Sequence, residues 1–408
     1  MTSRRNFLKA ASIAYPLAQL EPFLAKAQAN YSSPTNFKRD YFKELGVTPF
    51  INAAGNYSAY GGARMRPQVA EAIRYGTYNK AKVSELHDAV GAKIAELAGS
   101  EAAMVTSGAT ASMVLATAAT MTMGDQAKIE QLPDTAGMRD QVIIQKNHRY
   151  TYDRALIAAG AKLVTVSNEE ELVAAIGPKT AMMFWLMANH SPEGDNIAME
   201  RYLEIAKDHN VPTFLDGATM TPPASNVVEA CTYGFDMVGF SGGKGLRGPY
   251  SAGLLLGRKD YIAYARLNSS PNSRSLGRGM KVAAEEYLGM MVAFEVALGI
   301  DEKEDFKEKR AIFGRVANQM KHVPGLKTEV ILDAGMVNEL YLDLEWDQEE
   351  INLSVEQFVD ELKNGTPSIR IRMLKFSGGR AQISSAVLSD GQEIIVGKRV
   401  GEILMAHI

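Results

Sequence analysis

"FDMVGFSGGKGLRGPYSAGLLLG", residues 235–257, sets two short apolar runs on either side of a glycine-rich segment that carries one lysine, Lys244. Apolar runs of this length, bounded by glycines, read as buried strands rather than helices. The lysine therefore stands where a strand gives way to a loop. Moving outward, the pattern repeats. "VPTFLDGATMTPP" (211–223) closes an apolar run on Asp216, and "TAMMFWLM" (180–187), "AKLVTV" (161–166) and "QVIIQ" (141–145) are further runs of the same kind. "AAMVTSG" (102–108) leads into the Ala-rich helical stretch "ATASMVLATAATM" (109–121), and amphipathic segments such as "AMERYLEIAKDH" (198–209) separate the runs.

Buried strands that alternate with helices predict an α/β fold, a three-layer α/β/α domain with a mostly parallel sheet. From "DFKEKRAIFGRVANQMKHV" (305–323) onward the character changes. The segments "ELYLDLEW", "SVEQFVDELKNG", "SIRIRML" and "AQISSAVL" and a terminal helix predict a smaller C-terminal α/β domain. The expected division is a targeting segment at 1–29, an N-terminal arm at 30–51, a large domain at 52–299 and a small domain at 300–408.

Composition narrows the function. The chain has 408 residues, 46% hydrophobic and 22% charged, with a formal net charge of -3, so it builds a large core and offers no overall basic surface for nucleic acid. Cys231 is its single cysteine, which rules out an intrachain disulfide framework. The six histidines lack metal-ligand spacing. At the N-terminus, "SRRNFLK" (3–9) followed by an Ala-rich stretch matches a twin-arginine export signal, which implies a periplasmic destination for an already folded protein. Pro16 and Glu21 break that apolar stretch, which argues against a stable membrane span.

Ligands of open α/β sheets bind at the carboxyl ends of the strands, so the polar residues after each run are the candidates. Ser107, Gly108, Ala109 and Thr110 stand where a strand meets a helix, a place where small residues and free N–H groups favour phosphate. Alone, they read equally well as a helix cap. Asp216 is a carboxylate at a strand end, and Lys244 is an amine that burial would turn into a nucleophile toward a carbonyl. Each has a bland reading as a turn residue. Together, with Ser241 three positions before the lysine, they suit pyridoxal 5′-phosphate: Lys244 as Schiff-base anchor, Asp216 at the pyridine nitrogen, Ser241 and Ser107 to Thr110 around the phosphate.

At these residues the chain resembles fold-type I pyridoxal-phosphate enzymes, the aspartate aminotransferase superfamily. Within it the resemblance is to the group around selenocysteine synthase and its non-tRNA relatives, which include ammonia-lyases acting on amino sugar acids. "INAAGNYSAYGG" (51–62), "FLDGA" (214–218), "FSGGKGLRGPYSAGLLLGRKD" (240–260) and "GRGMKVAAEEYLGMMVAFE" (277–295) carry it. The resemblance implies that His148, in "QKNHRYTYD", stacks on the cofactor, and that Asn189 touches the cofactor's phenolic oxygen. It also implies that Arg278 serves an anionic group across a subunit interface, and that Arg370 or Arg372 binds the substrate carboxylate. A homodimer or larger homo-oligomer is expected. The chain leaves little room for a tRNA-gripping domain before the first of these segments, so the expected substrate is a small amino acid or amino sugar acid. The expected reaction is α,β-elimination with loss of ammonia. An aminotransferase or racemase would use the same residues, and an exported cofactor-binding protein without catalysis is the reading from outside enzymology.

Overall fold

The computed structural model describes residues 39–187, 197–334, 338–374 and 380–408. Residues 41–408 form one contact unit. Twelve strands fall into two sheets among the described residues. The larger sheet holds β2 (Ala102–Thr106), β3 (Gln141–Gln145), β4 (Lys162–Val166), β5 (Thr180–Leu186), β6 (Thr213–Asp216), β7 (Met237–Ser241) and β8 (Gly253–Gly257) in the order β2-β8-β7-β6-β5-β3-β4. All neighbours are parallel except β8, which runs against both β2 and β7.

Helices α1 (Val83–Ala98), α2 (Gly108–Thr122), α3 (Met199–Asp208), α4 (Lys259–Leu267) and α5 (Ala284–Leu298) cover this sheet. Successive side chains of a strand point to opposite faces. Met183 and Trp185 of β5 accordingly pack with Ile143 and Leu215 on the side of α1, α3 and α5. Met182 and Phe184 pack with Ile144 and Phe214 on the side of α2 and α4. Helix α2 is apolar all round because it lies buried from Ala111 to Thr122, and it runs from the end of β2 back across the sheet. The expected three-layer architecture is therefore present, with β8 as the departure from parallel order.

The second sheet takes β9 (Lys327–Ala334), β10 (Asn338–Glu345), β11 (Ser368–Leu374) and β12 (Arg380–Ser384), and adds β1 (Phe50–Ala53) from the far end of the chain. Strand β1 straddles the expected boundary at residues 51 and 52 and pairs in parallel with β11, Asn52 opposite Arg370. Helices α6 (Glu302–Met320) and α7 (Gln392–Met405) cover the sheet, with Phe313 and Val316 of α6 and Val396 and Val400 of α7 packed on Leu342 and Ile369. The chain thus leaves the small sheet at Ala53, passes the "GNYSAYGG" turns, a helix over Pro67–Tyr78 and α1, and enters the large sheet at Ala102. That crossing brings residues 56–62 beside the carboxyl ends of the large sheet's strands. Among the described residues no helix is long and apolar enough to cross a membrane.

Candidate active site

The carboxyl ends of β2, β5, β6 and β7 open on a cavity of about 330 Å³ lined by Ser107, Gly108, Ala109, Thr110, Asp216, Ser241 and Lys244, together with Asn56, Ser58, Gly62, Tyr150 and Tyr250. Asp216 ends β6 and is almost fully buried. Its Oδ1 accepts the Ala218 N–H at 2.9 Å, and its Oδ2 accepts the Tyr150 hydroxyl. Burial drives the carboxyl above the ordinary carboxylate range, and the Tyr150 bond, the Ala218 bond and Lys244 only partly offset it. A carboxylate in that position gains from a cation or a further donor brought against it.

Lys244 lies on the loop after β7. Burial lowers its pKa, with Asp216 acting in the opposite direction, and its amine has no hydrogen-bond or ion-pair partner among the described residues. The glycines around it answer to the protein rather than to φ. A Cβ on Gly242 would lie 2.4 Å from the Met290 Sδ, one on Gly243 2.9 Å from the Tyr250 Cα, and one on Gly245 2.2 Å from the Pro222 nitrogen. None of the three is left-handed. The loop is glycine-rich because it threads between the 221–223 turn, the 250–252 turn and α5.

At the end of β2 the chain turns sharply: Ser107 has φ -79° and ψ 66°, and Gly108 has φ +79°. That left-handed residue starts α2, and its conformation favours glycine. The Thr106 hydroxyl closes the turn on the Gly108 carbonyl at 3.0 Å. Ser107, by contrast, makes no side-chain cap bond, so the first N–H groups of α2 face the cavity uncapped. A helix of fifteen residues that begins this way presents N–H donors and a positive dipole end to an anion.

The aromatic wall differs from expectation. After β3, a single 3₁₀ turn, Lys146–His148, swings the His148 ring under the sheet, where it is buried. Its Nδ1 accepts the Leu186 N–H at 3.3 Å, and its ring meets Trp185 edge-on at 4.5 Å. His148 is thus buried beside Trp185 and is not in the lining of the cavity. Tyr150, two residues on, lines the cavity instead. Asp153 fixes the Tyr150 backbone by accepting from its N–H at 3.4 Å and from Arg149 Nε at 2.5 Å. Burial raises the Tyr150 pKa, so the phenol stays protonated and donates to Asp216.

Arg370 and Arg372 are not in the lining of the cavity. Arg370 Nη1 donates to the Lys363 carbonyl at 3.0 Å and to the Ser368 hydroxyl at 2.6 Å, and its guanidinium lies 5.1 Å over the Phe50 ring. Arg372 sits 3.5 Å from the Asp333 carboxylate and 4.6 Å over Tyr341. Both are occupied by neighbours within the small sheet. Arg278, expected to act across a subunit interface, is exposed on the 275–280 turn. Asn189 lies outside the described residues, as does the N-terminal segment 1–29. Sequence reasoning passed over Asn56, Ser58, Tyr150, Thr219 and Ser251, all in the lining. Asn56 and Ser58 belong to "INAAGNYSAYGG", a segment already marked by resemblance. Tyr150 was visible as a second aromatic in "QKNHRYTYD".

The family model described as Cys/Met metabolism PLP-dependent enzyme matches residues 54–266, and the chain belongs to that family. It is 27% identical over 378 residues to a 5'-C-glycyluridine monooxygenase-decarboxylase from a Streptomyces species, covering 90% of this chain and 92% of that one. It is 24% identical over 371 residues to the D-glucosaminate-6-phosphate ammonia lyase of Salmonella typhimurium, covering 89% and 97%. A solved structure of D-glucosaminate-6-phosphate ammonia-lyase superposes with a TM-score of 0.81 at 23% identity, over 91% of this chain and all of that one, a likeness of fold.

The cavity fits the pyridoxal 5′-phosphate on which this family depends. A buried amine without a partner stands ready for an aldehyde. The carboxyl of Asp216, raised by burial, would be relieved by a protonated ring nitrogen. The uncapped start of α2 supplies N–H donors for a phosphate.

Proposed function

We propose that this protein is a PLP-dependent ammonia-lyase that eliminates the β-substituent of an amino sugar acid. The observation that carries the reading is the pairing, in one cavity, of an unpartnered buried Lys244 with the buried Asp216. Its similarity to an ammonia lyase over nearly the whole of both chains adds support.

When bound, the cofactor supplies an aldehyde for the substrate's amine and a ring that takes up the electron pair left at the α-carbon. Lys244 would hold the cofactor's aldehyde, and its amine, kept from full protonation by burial, would serve as the base for the α-proton. Asp216 would face the ring nitrogen and favour its protonated form, and Tyr150 orients Asp216 by donating to Oδ2. The hydroxyls of Ser107, Thr110 and Ser241 and the first N–H groups of α2 would hold the phosphate. Lys244, holding the α-proton, would return it to a β-hydroxyl, which leaves with its bonding pair as water. The released enamine then takes up water and gives one 2-oxo acid and one ammonia.

The same reading covers what surrounds the site. The quoted segments support membership in the non-tRNA branch of the selenocysteine synthase-like group, and "SRRNFLK" supports export to the periplasm. Exposed tyrosines at the cavity rim, Tyr152 and Tyr250, support a homodimer or larger ring that covers them. The residue ranges 1–29, 30–51, 52–299 and 300–408 remain the proposed division.

The test is a panel of D- and L-amino acids and amino sugar acids given to cofactor-loaded protein without an amino acceptor. Ammonia and 2-oxo acid in equal amounts, abolished in Lys244→Ala, are the expected result. Turnover that needs a 2-oxo acid acceptor would make the protein an aminotransferase, inversion without ammonia a racemase, and no turnover at all a binding protein.

A further inference from the structure

The loop that carries Lys244 has a second side. Gly245 and Arg247 turn away from the cofactor cavity and line a neighbouring one of about 140 Å³, together with Arg66, Pro222 and Lys309. Asn56 lines both cavities, and its Oδ1 is buried without a hydrogen-bond partner.

Two guanidiniums in this wall have little to do. Arg66 Nη1 donates to the Leu246 carbonyl at 2.9 Å, and Arg247 Nε donates to the Arg64 carbonyl at 2.8 Å. A guanidinium carries five N–H donors. Those two bonds tie the 64–66 and 246–247 segments together and leave most donors of both residues unused among the described residues, with no carboxylate in ion-pair range of either. The acids of the opposite wall are engaged with Lys309, whose Nζ lies 3.0 Å from Asp305 and 2.9 Å from Glu339. Glu302 is exposed at the mouth. Burial, with Arg247 nearby, pulls the Arg66 guanidinium down to about 9 against the pull of Asp305, and burial with Arg64 nearby lowers Arg247 against Asp305 and Glu339. An oxyanion between the two would reverse both effects. Arg247 also holds φ +55°, a left-handed backbone where glycine would be free of strain, yet the chain keeps a guanidinium there.

We propose that Arg66 and Arg247 form an oxyanion subsite for the distal end of the substrate, a phosphate monoester or a second carboxylate, with Asn56 at the passage from the reacting end. The inference rests on the first cavity being the reaction site.

The test uses cofactor-loaded wild type, Arg66→Gln and Arg247→Gly, with inorganic phosphate and acetate as probes in titration calorimetry. Glycine suits the backbone at 247, so that variant keeps its fold if Arg66→Gln does not. The cofactor's own absorbance, unchanged in both variants, confirms that the first cavity is intact. The expected result is that wild type binds at least one probe and each variant binds it about tenfold or more weakly, as for lost charge-assisted hydrogen bonds. The tighter probe names the substrate's distal group. KM for an amino sugar acid bearing that group rises by a similar factor with kcat little changed. Variants that bind the probe as wild type does, or a wild type that binds neither, would overturn the subsite. Probe binding that follows the arginines in a protein releasing no ammonia would instead sink the lyase reading and leave the subsite standing.

Discussion

Lys244 and Arg370 are both cations delivered by buried strands, and they differ in what the fold sets around them. At the carboxyl ends of the large sheet, Lys244 has no hydrogen-bond acceptor among the described residues and faces an open cavity. On β11 of the small sheet, Arg370 has two acceptors and an aromatic ring, and Arg372 has a carboxylate and a ring. The contrast teaches that a charge is available for chemistry where neighbours withhold partners. Where neighbours supply them, the same charge fastens a sheet.

The strongest way to break this comparison is Lys244→Ala. It should lower kcat by about 10³-fold or more, since anchor and base are lost together, and steady-state release of ammonia measures it. A loss under tenfold would break the contrast outright. Next comes Asp216→Asn, expected to lower kcat by about 10²-fold while raising the stability of the cofactor-free protein. The sign follows from the pKa shift. The folded-state pKa lies above the unfolded one, so the carboxyl favours folding below the unfolded pKa, and that contribution is lost as pH rises. Thermal melts should therefore show the variant above wild type at pH 8, with the gap closing toward pH 4.

Tyr150→Phe removes one donor to a buried carboxyl and should reduce kcat about tenfold with the fold retained. His148→Gln sharpens the same point, because a core ring should register in the melting temperature and leave cofactor affinity alone. The smallest effect is expected for Arg370→Ala. Here kcat/KM should stay within about threefold while denaturant unfolding shows a loss of about 1 kcal/mol. A large rise in KM would put Arg370 back at the substrate and erase the difference between the two regions.

Much of this architecture was legible because its signals are local. The runs "QVIIQ", "VPTFLD" and "FDMVGF" became β3, β6 and β7 with boundaries shifted by a residue or two, and Asp216 and Lys244 followed from standing at strand ends. Strand β1 was not legible, because four residues, "FINA", become a strand only by pairing with β11, far away in sequence. Which ring lines the cavity was not legible for a different reason: one 3₁₀ turn sets His148 in the core and Tyr150 in the lining, and periodicity carries no record of it. Alternation correctly set Arg370 and Arg372 on one face of β11. It does not reveal that Ser368, Phe50 and Tyr341 are waiting there.

The most direct test of the central claim is to load the purified protein with pyridoxal phosphate, reduce it with borohydride and map the labelled peptide by mass spectrometry. A pyridoxyl group on Lys244 alone is the predicted result. A label on another lysine, or no label on a protein that still releases ammonia, would contradict it.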